Sequence, residues 1–164
     1  MQSMNIESNA TLSADERYMR LALAQAQAAA DAGEVPAGCV IVHFSSEGPA
    51  RVIGRAHNQT ECLHDPTAHA EMIAITQAAA ALGDWRLNNT CLYVTKEPCA
   101  MCCGAIILAR ISKVFWGVSD PRRGGHSVFG ILDNPGLNHR AEIQTGLLEN
   151  ESKSILQEFF RAKR

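Results

Sequence analysis

Apolar positions recur along this chain with two periods, and the change from one period to the other marks its elements. Met19, Leu23, Ala26 and Ala30 fall at helical spacing behind Ser13-Ala14-Asp15-Glu16, a capping box with Ser13 as N-cap and Glu16 at N3. The spacing predicts a helix from there to about Ala32, stopped by Gly33. Val35-Pro36-Ala37-Gly38 reads as a turn and Cys39 to Phe44 as an apolar strand. Turn residues follow at Ser45 to Pro49, and a second strand at Arg51 to Ala56, so the two strands are predicted to form a hairpin. His57-Asn58 opens a long loop reaching Asp65. Asp65-Pro66 then reads as N-cap and N1 of a second helix, which runs to about Leu82 with Met72, Ile75 and Ala79 on one face and ends at Gly83.

Thr90 to Thr95 is a continuous apolar run, as expected of a strand buried on both faces. Glu97-Pro98 opens a predicted helix from Cys99 to about Ala109, and Lys113 to Gly117 reads as the next strand. A strand–helix–strand crossover places these two strands parallel. Ser119 to Gly125 is a basic, Gly-rich loop, Asn134-Pro135-Gly136 a turn and Ala141 to Gln144 a short strand. Glu149 to Arg164 reads as a C-terminal helix with Ile155, Leu156, Phe159 and Phe160 inward. This order predicts an α/β fold, a three-layer α/β/α sandwich around a mixed five-stranded sheet. The 164 residues suit one domain, spanning 13–164, with the polar segment 1–12 expected to be disordered.

Composition narrows the function classes. A net charge of −2 gives no global electrostatic footprint for nucleic acid, so such binding must use a local patch. No apolar run approaches a membrane span, and Met1-Gln2-Ser3-Met4-Asn5 lacks the charge and apolar core of a signal peptide. A cytoplasmic protein without a membrane partner is the expectation. The six cysteines are even in number, but only a small secreted chain would make that a disulfide framework. Cys39 and Cys91 lie in apolar strands and are expected to be packing residues.

The remaining chemistry concentrates in Thr67-Ala68-His69-Ala70-Glu71 and Lys96-Glu97-Pro98-Cys99-Ala100-Met101-Cys102. His69, Cys99 and Cys102 offer one imidazole and two thiolates, a set that suits one Zn²⁺ per chain. Three protein ligands leave one tetrahedral position open, as a catalytic zinc requires. Water bound there has its pKa lowered to about 7. Glu71 is then a proton shuttle and not a fourth ligand. Taken alone, the Cys pair fits a redox motif, and a His followed by a Glu on a helix is usually surface decoration. Their combination, with Pro98 before the first Cys, favours the metal. Cys99 and Cys102 share a helix face, and a helix N-terminus favours thiolate. Cys103 points about 100° away from Cys102 and is expected to be a neighbour of the site. Side chains at i and i+2 of a helix diverge, so His69 and Glu71 converge only if the metal lies off the helix end.

The H-x-E…P-C-x-x-C pattern is the signature of zinc nucleobase deaminases. With both halves placed, the chain resembles the cytidine/deoxycytidylate deaminase superfamily, and within it the bacterial tRNA-specific adenosine deaminases, over about residues 13–164. The narrower cues are Glu34-Val35-Pro36-Ala37-Gly38, His64-Asp65-Pro66-Thr67-Ala68-His69-Ala70-Glu71, Leu92-Tyr93-Val94-Thr95, Asn138-His139-Arg140 and Phe159-Phe160-Arg161. The resemblance implies a cytidine deaminase-like fold, zinc on His69, Cys99 and Cys102, and proton transfer by Glu71. It implies that Asn58 contacts the purine nucleoside, that Val35, Pro36 and the backbone at Ala70 line the base pocket, and that Asp120 with Arg122 and Arg123 meets RNA. It also implies a homodimer acting on a tRNA anticodon loop, deaminating adenosine to inosine at the wobble position.

This chain departs from the family pattern at the mouth of the site. The loop after Asp120 reads Arg122-Arg123-Gly124-Gly125-His126-Ser127-Val128 where a Gly-Ser step is common, Lys96 stands where apolar residues are common, and Ser45 to Ala50 lengthens the first hairpin. Two other functions fit the same residues. One is deamination of a free purine base such as guanine. The other is a zinc-stabilised RNA-binding protein without turnover, against which Glu71 argues, since a structural zinc has no use for a carboxylate held off the metal.

Overall fold

The computed structural model describes residues 12–164; the segment expected to be disordered, apart from Leu12, lies outside the described residues. Ten elements follow in chain order: α1 (Ala14–Asp31), β1 (Gly38–His43), β2 (Arg51–His57), α2 (Thr60–Leu63), α3 (Ala70–Leu82), β3 (Thr90–Lys96), α4 (Ala100–Leu108), β4 (Lys113–Val118), β5 (Glu142–Thr145) and α5 (Glu149–Ala162). The capping box forms as read, with Ser13 Oγ accepting from Glu16 N at 3.1 Å and Ser13 N donating to Glu16 at 3.1 Å.

The five strands make one mixed sheet in the order β2-β1-β3-β4-β5. β1 runs antiparallel to both β2 and β3, while β3, β4 and β5 are mutually parallel neighbours. Alternation along the central strands builds the layers. Cys39, Ile41, Leu92, Val94, Val114 and Trp116 point into one core, shared with Ala74 and Ala78 of α3 and Ile106 and Ile107 of α4. Val40, Val42, Tyr93 and Phe115 point into the other, shared with Met19, Ala22 and Leu23 of α1 and Ile155 of α5. Because strand side chains alternate with period two, the buried strands require a helical layer on each face, and the three-layer sandwich follows. Among the described residues no helix is long and apolar enough to cross a membrane.

The structure differs from the pattern-based expectation in four places. The loop from His57 to Asp65 contains the short helix α2. The helix expected from Pro66 begins at Ala70, because the Asp65 side chain accepts from Thr67 N and Thr67 Oγ1 at 2.8 and 2.7 Å and holds a turn instead of a cap. Cys91 is only half-buried, next to the surface pair Lys113 and Glu142, which lie 3.1 Å apart. Phe160 is 48% exposed; α5 docks through Ser152, Ile155, Leu156 and Phe159, and the next residue is turned about 100° out of that face.

Candidate active site

Two helix starts meet at the C-terminal end of β3. His69 is the N-cap of α3, with φ −76° and ψ 152°. Cys99 is the N-cap of α4, with φ −70° and ψ 176°. Neither side chain caps its own helix. Each turns instead toward the other, so that His69 Nδ1 lies 3.6 Å from Cys99 Sγ and 3.5 Å from Cys102 Sγ. All three ligating atoms lie within 4.8 Å of one another and could hold a metal ion. Two N-cap side chains that forgo capping, together with a soft N/S/S donor set, are what a metal site of this type requires. The hydrogen bond from the Cys102 thiol pulls the Cys99 thiol well down, and the same bond, with burial, holds Cys102 up. One sulfur is thus already biased toward thiolate. Cys103 is buried outside the cluster, with Sγ 3.5 Å from Pro98 O.

Glu71 lies in the first turn of α3 and is 5% exposed. Burial pushes its carboxyl up, against the opposing pull of its own backbone N–H and of His69. Burial thus makes this carboxyl a better proton acceptor than an exposed one, as a proton carrier requires. His69, Glu71 and Cys99 open into a cavity of about 250 Å³ that is also lined by Val35, Ala37, Asn58, Thr60, Lys96 and Glu97.

Of the residues singled out from the sequence, His69, Cys99, Cys102, Glu71, Asn58 and Val35 come together at this cavity or in the His/Cys/Cys cluster beside it. Asn58 is held by Asn58 N donating to Ala37 O at 3.1 Å and by its side-chain amide 3.5 Å from Thr60 Oγ1. Pro36 and Ala70 are buried and do not line the cavity. Asp120 touches its rim through the Lys96 ammonium, 2.8 Å away. That ammonium, followed by the Arg123 and Arg122 backbone N–H groups, holds the Asp120 carboxyl below the usual range despite partial burial. Arg122 and Arg123 are exposed on the same loop and do not line the cavity.

Sequence reading missed Ala37, Thr60 and Glu97, while Lys96, placed at the mouth from the sequence, does line the cavity. Glu97 had a signal, being the carboxylate one residue before Pro98-Cys99. Thr60 had none, since α2 itself was not foreseen. A further buried carboxylate, Glu34 at 1% exposure, places α2: it accepts from Cys62 N at 2.7 Å, Glu61 N at 3.2 Å and Thr60 Oγ1 at 3.3 Å.

Residues 13–164 match the family described as MafB19-like deaminase. With the mixed sheet and the His/Cys/Cys cluster beside a buried glutamate, this defines the class as a deaminase of the cytidine deaminase-like fold. The tRNA-specific adenosine deaminase of Bacillus subtilis is 44% identical over 151 residues, which is 92% of this chain and 91% of that one. The tRNA-specific adenosine deaminase of Aquifex aeolicus is 47% identical over 150 residues, 91% of this chain and 95% of that one. A solved structure from a study of A-to-I editing by tRNA:A34 deaminases superposes with a TM-score of 0.77 at 42% identity, covering 85% of this chain and 99% of that one. A guanine deaminase from Bacillus subtilis superposes with a TM-score of 0.60 at 30% identity, covering 89% and 93%. The chain belongs to the tRNA-specific adenosine deaminase family.

Proposed function

We propose that this enzyme hydrolytically deaminates adenosine to inosine at the wobble position of a tRNA anticodon loop, with one zinc per chain held by His69, Cys99 and Cys102. The observation that carries the chemistry is Glu71, buried beside the cluster and facing the cavity without being part of the ligand set. Bound zinc would supply a water of lowered pKa, about 7, as the nucleophile. Glu71 takes a proton from the attacking water and delivers it to ring N1 as C6 becomes tetrahedral. It then takes the second proton, from the new C6 hydroxyl, and passes it to the amino group, which leaves as ammonia as the C6 carbonyl forms. Asn58 positions the purine nucleoside, and Val35 covers the base, with Pro36 and Ala70 behind the pocket wall. Asp120, Arg122 and Arg123 lie outside the cavity, on the side where a substrate's backbone would run.

An adenine within a duplex cannot present C6, so an unpaired loop base that is splayed out is the natural substrate. The relatives named for tRNA adenosine support this choice. The chain is proposed to act as a cytoplasmic homodimer. A second reading, deamination of free guanine, is supported by the guanine deaminase that shares the fold at 30% identity. The two are separated by incubating the zinc-loaded protein with tRNA transcripts and with free guanine, measuring inosine in digested tRNA and ammonia from the base. Inosine at the wobble position with little ammonia supports tRNA editing; rapid ammonia release from guanine with unmodified tRNA overturns it.

A further inference from the structure

Glu97 is a buried carboxylate that the deamination chemistry leaves unused. It is 3% exposed and sits two residues before Cys99. Its oxygens face the basic loop after β4. Oε1 accepts from Ser127 N, and Oε2 accepts from Asp120 N and Ser127 Oγ, all at 2.7 Å. Eight residues of loop, Asp120 to Ser127, are therefore wound around one side chain, with the two ends of the winding pinned to the same carboxylate. A Cβ built on Gly124 would fall 2.2 Å from Glu97 Oε1, so only glycine lets the loop close this tightly. Two backbone ties join the same pieces: Gly125 N donates to Pro98 O at 2.8 Å, and Cys99 and Gly124 form an isolated bridge. From inside the loop, Asp120 Oδ1 accepts from Arg122 N and Arg123 N at 3.1 and 3.0 Å, while Oδ2 meets Lys96 at 2.8 Å.

We infer that Glu97 is a positioning residue for substrate binding: it clasps the loop carrying Arg122 and Arg123 to the segment that carries Cys99, and so sets where a polyanionic substrate lies relative to the cavity. This takes tRNA as the substrate, as proposed above. The physical ground is rigidity. Exposed arginines on a free loop bind phosphate with little orientation, because each contact must also offset the entropy of ordering the loop. Arginines on a loop fixed to the metal-ligating segment hold the phosphates at a set distance from the reacting base. Both the carboxylate and the loop's own backbone are required, since all the donors but one are main-chain N–H groups.

The chemistry of the clasp suggests an isosteric test. Each oxygen of Glu97 accepts from a backbone N–H. In Glu97→Gln the new amide therefore faces a donor whichever way it is turned, and at least one bond is lost at nearly unchanged volume. Ser127→Ala removes the hydroxyl bond alone and touches neither the cavity nor the arginines. Zinc content, limited trypsin cleavage after Arg122 and Arg123, and KM and kcat with a tRNA transcript are measured for both variants and the parent. The expected result is graded. Ser127→Ala raises the KM for tRNA by about threefold with kcat unchanged, and Glu97→Gln raises it by about tenfold or more, because the first deletes one bond to the carboxylate whereas the second removes the charge from all three and sets the amide NH2 against a backbone donor. Trypsin cleavage accelerates in the same order, and zinc is retained.

A fall in kcat at constant KM for Ser127→Ala overturns the proposal, because it moves the effect to the chemical step. Parent-like KM alongside faster cleavage also overturns it, since the loop would then be clasped without serving binding. If the parent does not turn over tRNA, the substrate reading fails by that result alone. The proteolysis then decides the clasp, and unchanged cleavage in Glu97→Gln sinks it.

Discussion

His69 and Glu71 stand two residues apart on either side of a helix start, His69 extended at φ −76° and ψ 152° as N-cap and Glu71 helical in the first turn of α3. Inside a helix that offset would separate the two side chains by about 200°. The extended residue removes the conflict, and both line one cavity. The proposed ligand and the proposed proton carrier are thereby placed side by side, with Glu71 outside the His/Cys/Cys cluster.

Glu71→Ala should retain zinc and fold while losing at least about 10²-fold in kcat, the low end for a removed acid–base group. The measurement is inosine formation beside zinc content and thermal melting. An active variant would sink the proposed role of Glu71.

Cys99→Ala and Cys102→Ala should each lose zinc and lower the melting temperature, because the metal ties the starts of α3 and α4 together. Cys103→Ala should keep its zinc, since its sulfur faces Pro98 O and not the cluster. Zinc lost from the Cys103 variant and kept in the Cys102 variant would reassign the ligand.

Most of this site was legible because its chemistry is carried by short motifs at helix starts. The strands were legible because β1, β3 and β4 are apolar on both faces, and the crossover through α4 left only a parallel pairing. The start of α3 was misread because Asp65-Pro66 carries the composition of a helix N-terminus, yet the Asp65 carboxylate is consumed by Thr67 two residues on. Local sequence cannot tell a cap from an Asx turn when both use the same side chain. α2 escaped because nothing within Thr60–Leu63 makes it a helix. It is placed from a distance by Glu34, 27 and 28 residues earlier than its partners Glu61 and Cys62. What Glu97 and Lys96 bind was hidden for the same reason, since their partners lie on a loop 23 to 30 residues away.

Gly54→Ala should destabilise the protein by about 1–3 kcal/mol, the usual range for forcing extra volume into a packed site. Its Cβ would fall 2.5 Å from the Ala74 carbonyl oxygen. That atom belongs to the backbone of α3, which cannot give way without shifting the helix whose N-cap is His69. Urea denaturation at fixed zinc concentration reads the change; a midpoint equal to that of the parent would show that α3 yields freely.

Glu34 supplies a pH-dependent contribution. Burial pushes its carboxyl up, but the hydrogen bonds from Cys62 N, Glu61 N and Thr60 outweigh this and hold it below its ordinary value of 4.5. A lowered carboxyl stabilises the fold above its unfolded value, and that contribution disappears as pH falls through the folded one. Glu34→Gln should therefore be less stable than the parent at pH 7. The gap should close as pH drops below about 4.5 and further through the lower folded value. Melting curves of both proteins across this window give the difference directly, and a gap that widened in acid would contradict the sign.

The charge on the mouth loop decides between a polymer and a free base. Arg122 and Arg123 are exposed, and their backbone N–H groups, not their guanidinium groups, bind Asp120. The cations are therefore available to phosphate. Neutralising each phosphate releases counterions, so tRNA binding should weaken linearly with salt on logarithmic axes. In Arg122→Gln/Arg123→Gln the affinity should fall and the slope should become shallower by about 1 per lost contact, with zinc content and fold unchanged. Arg161, Lys163 and Arg164 form a second basic group at the end of α5. Their charge also complements the helix dipole, so their neutralisation should lower the melting temperature as well. Free guanine carries no phosphate, and its turnover should not respond to salt. Affinity for tRNA is measured against salt for the parent and the double variant, beside ammonia release from guanine. A flat salt dependence with rapid guanine turnover would replace tRNA editing with deamination of a free base.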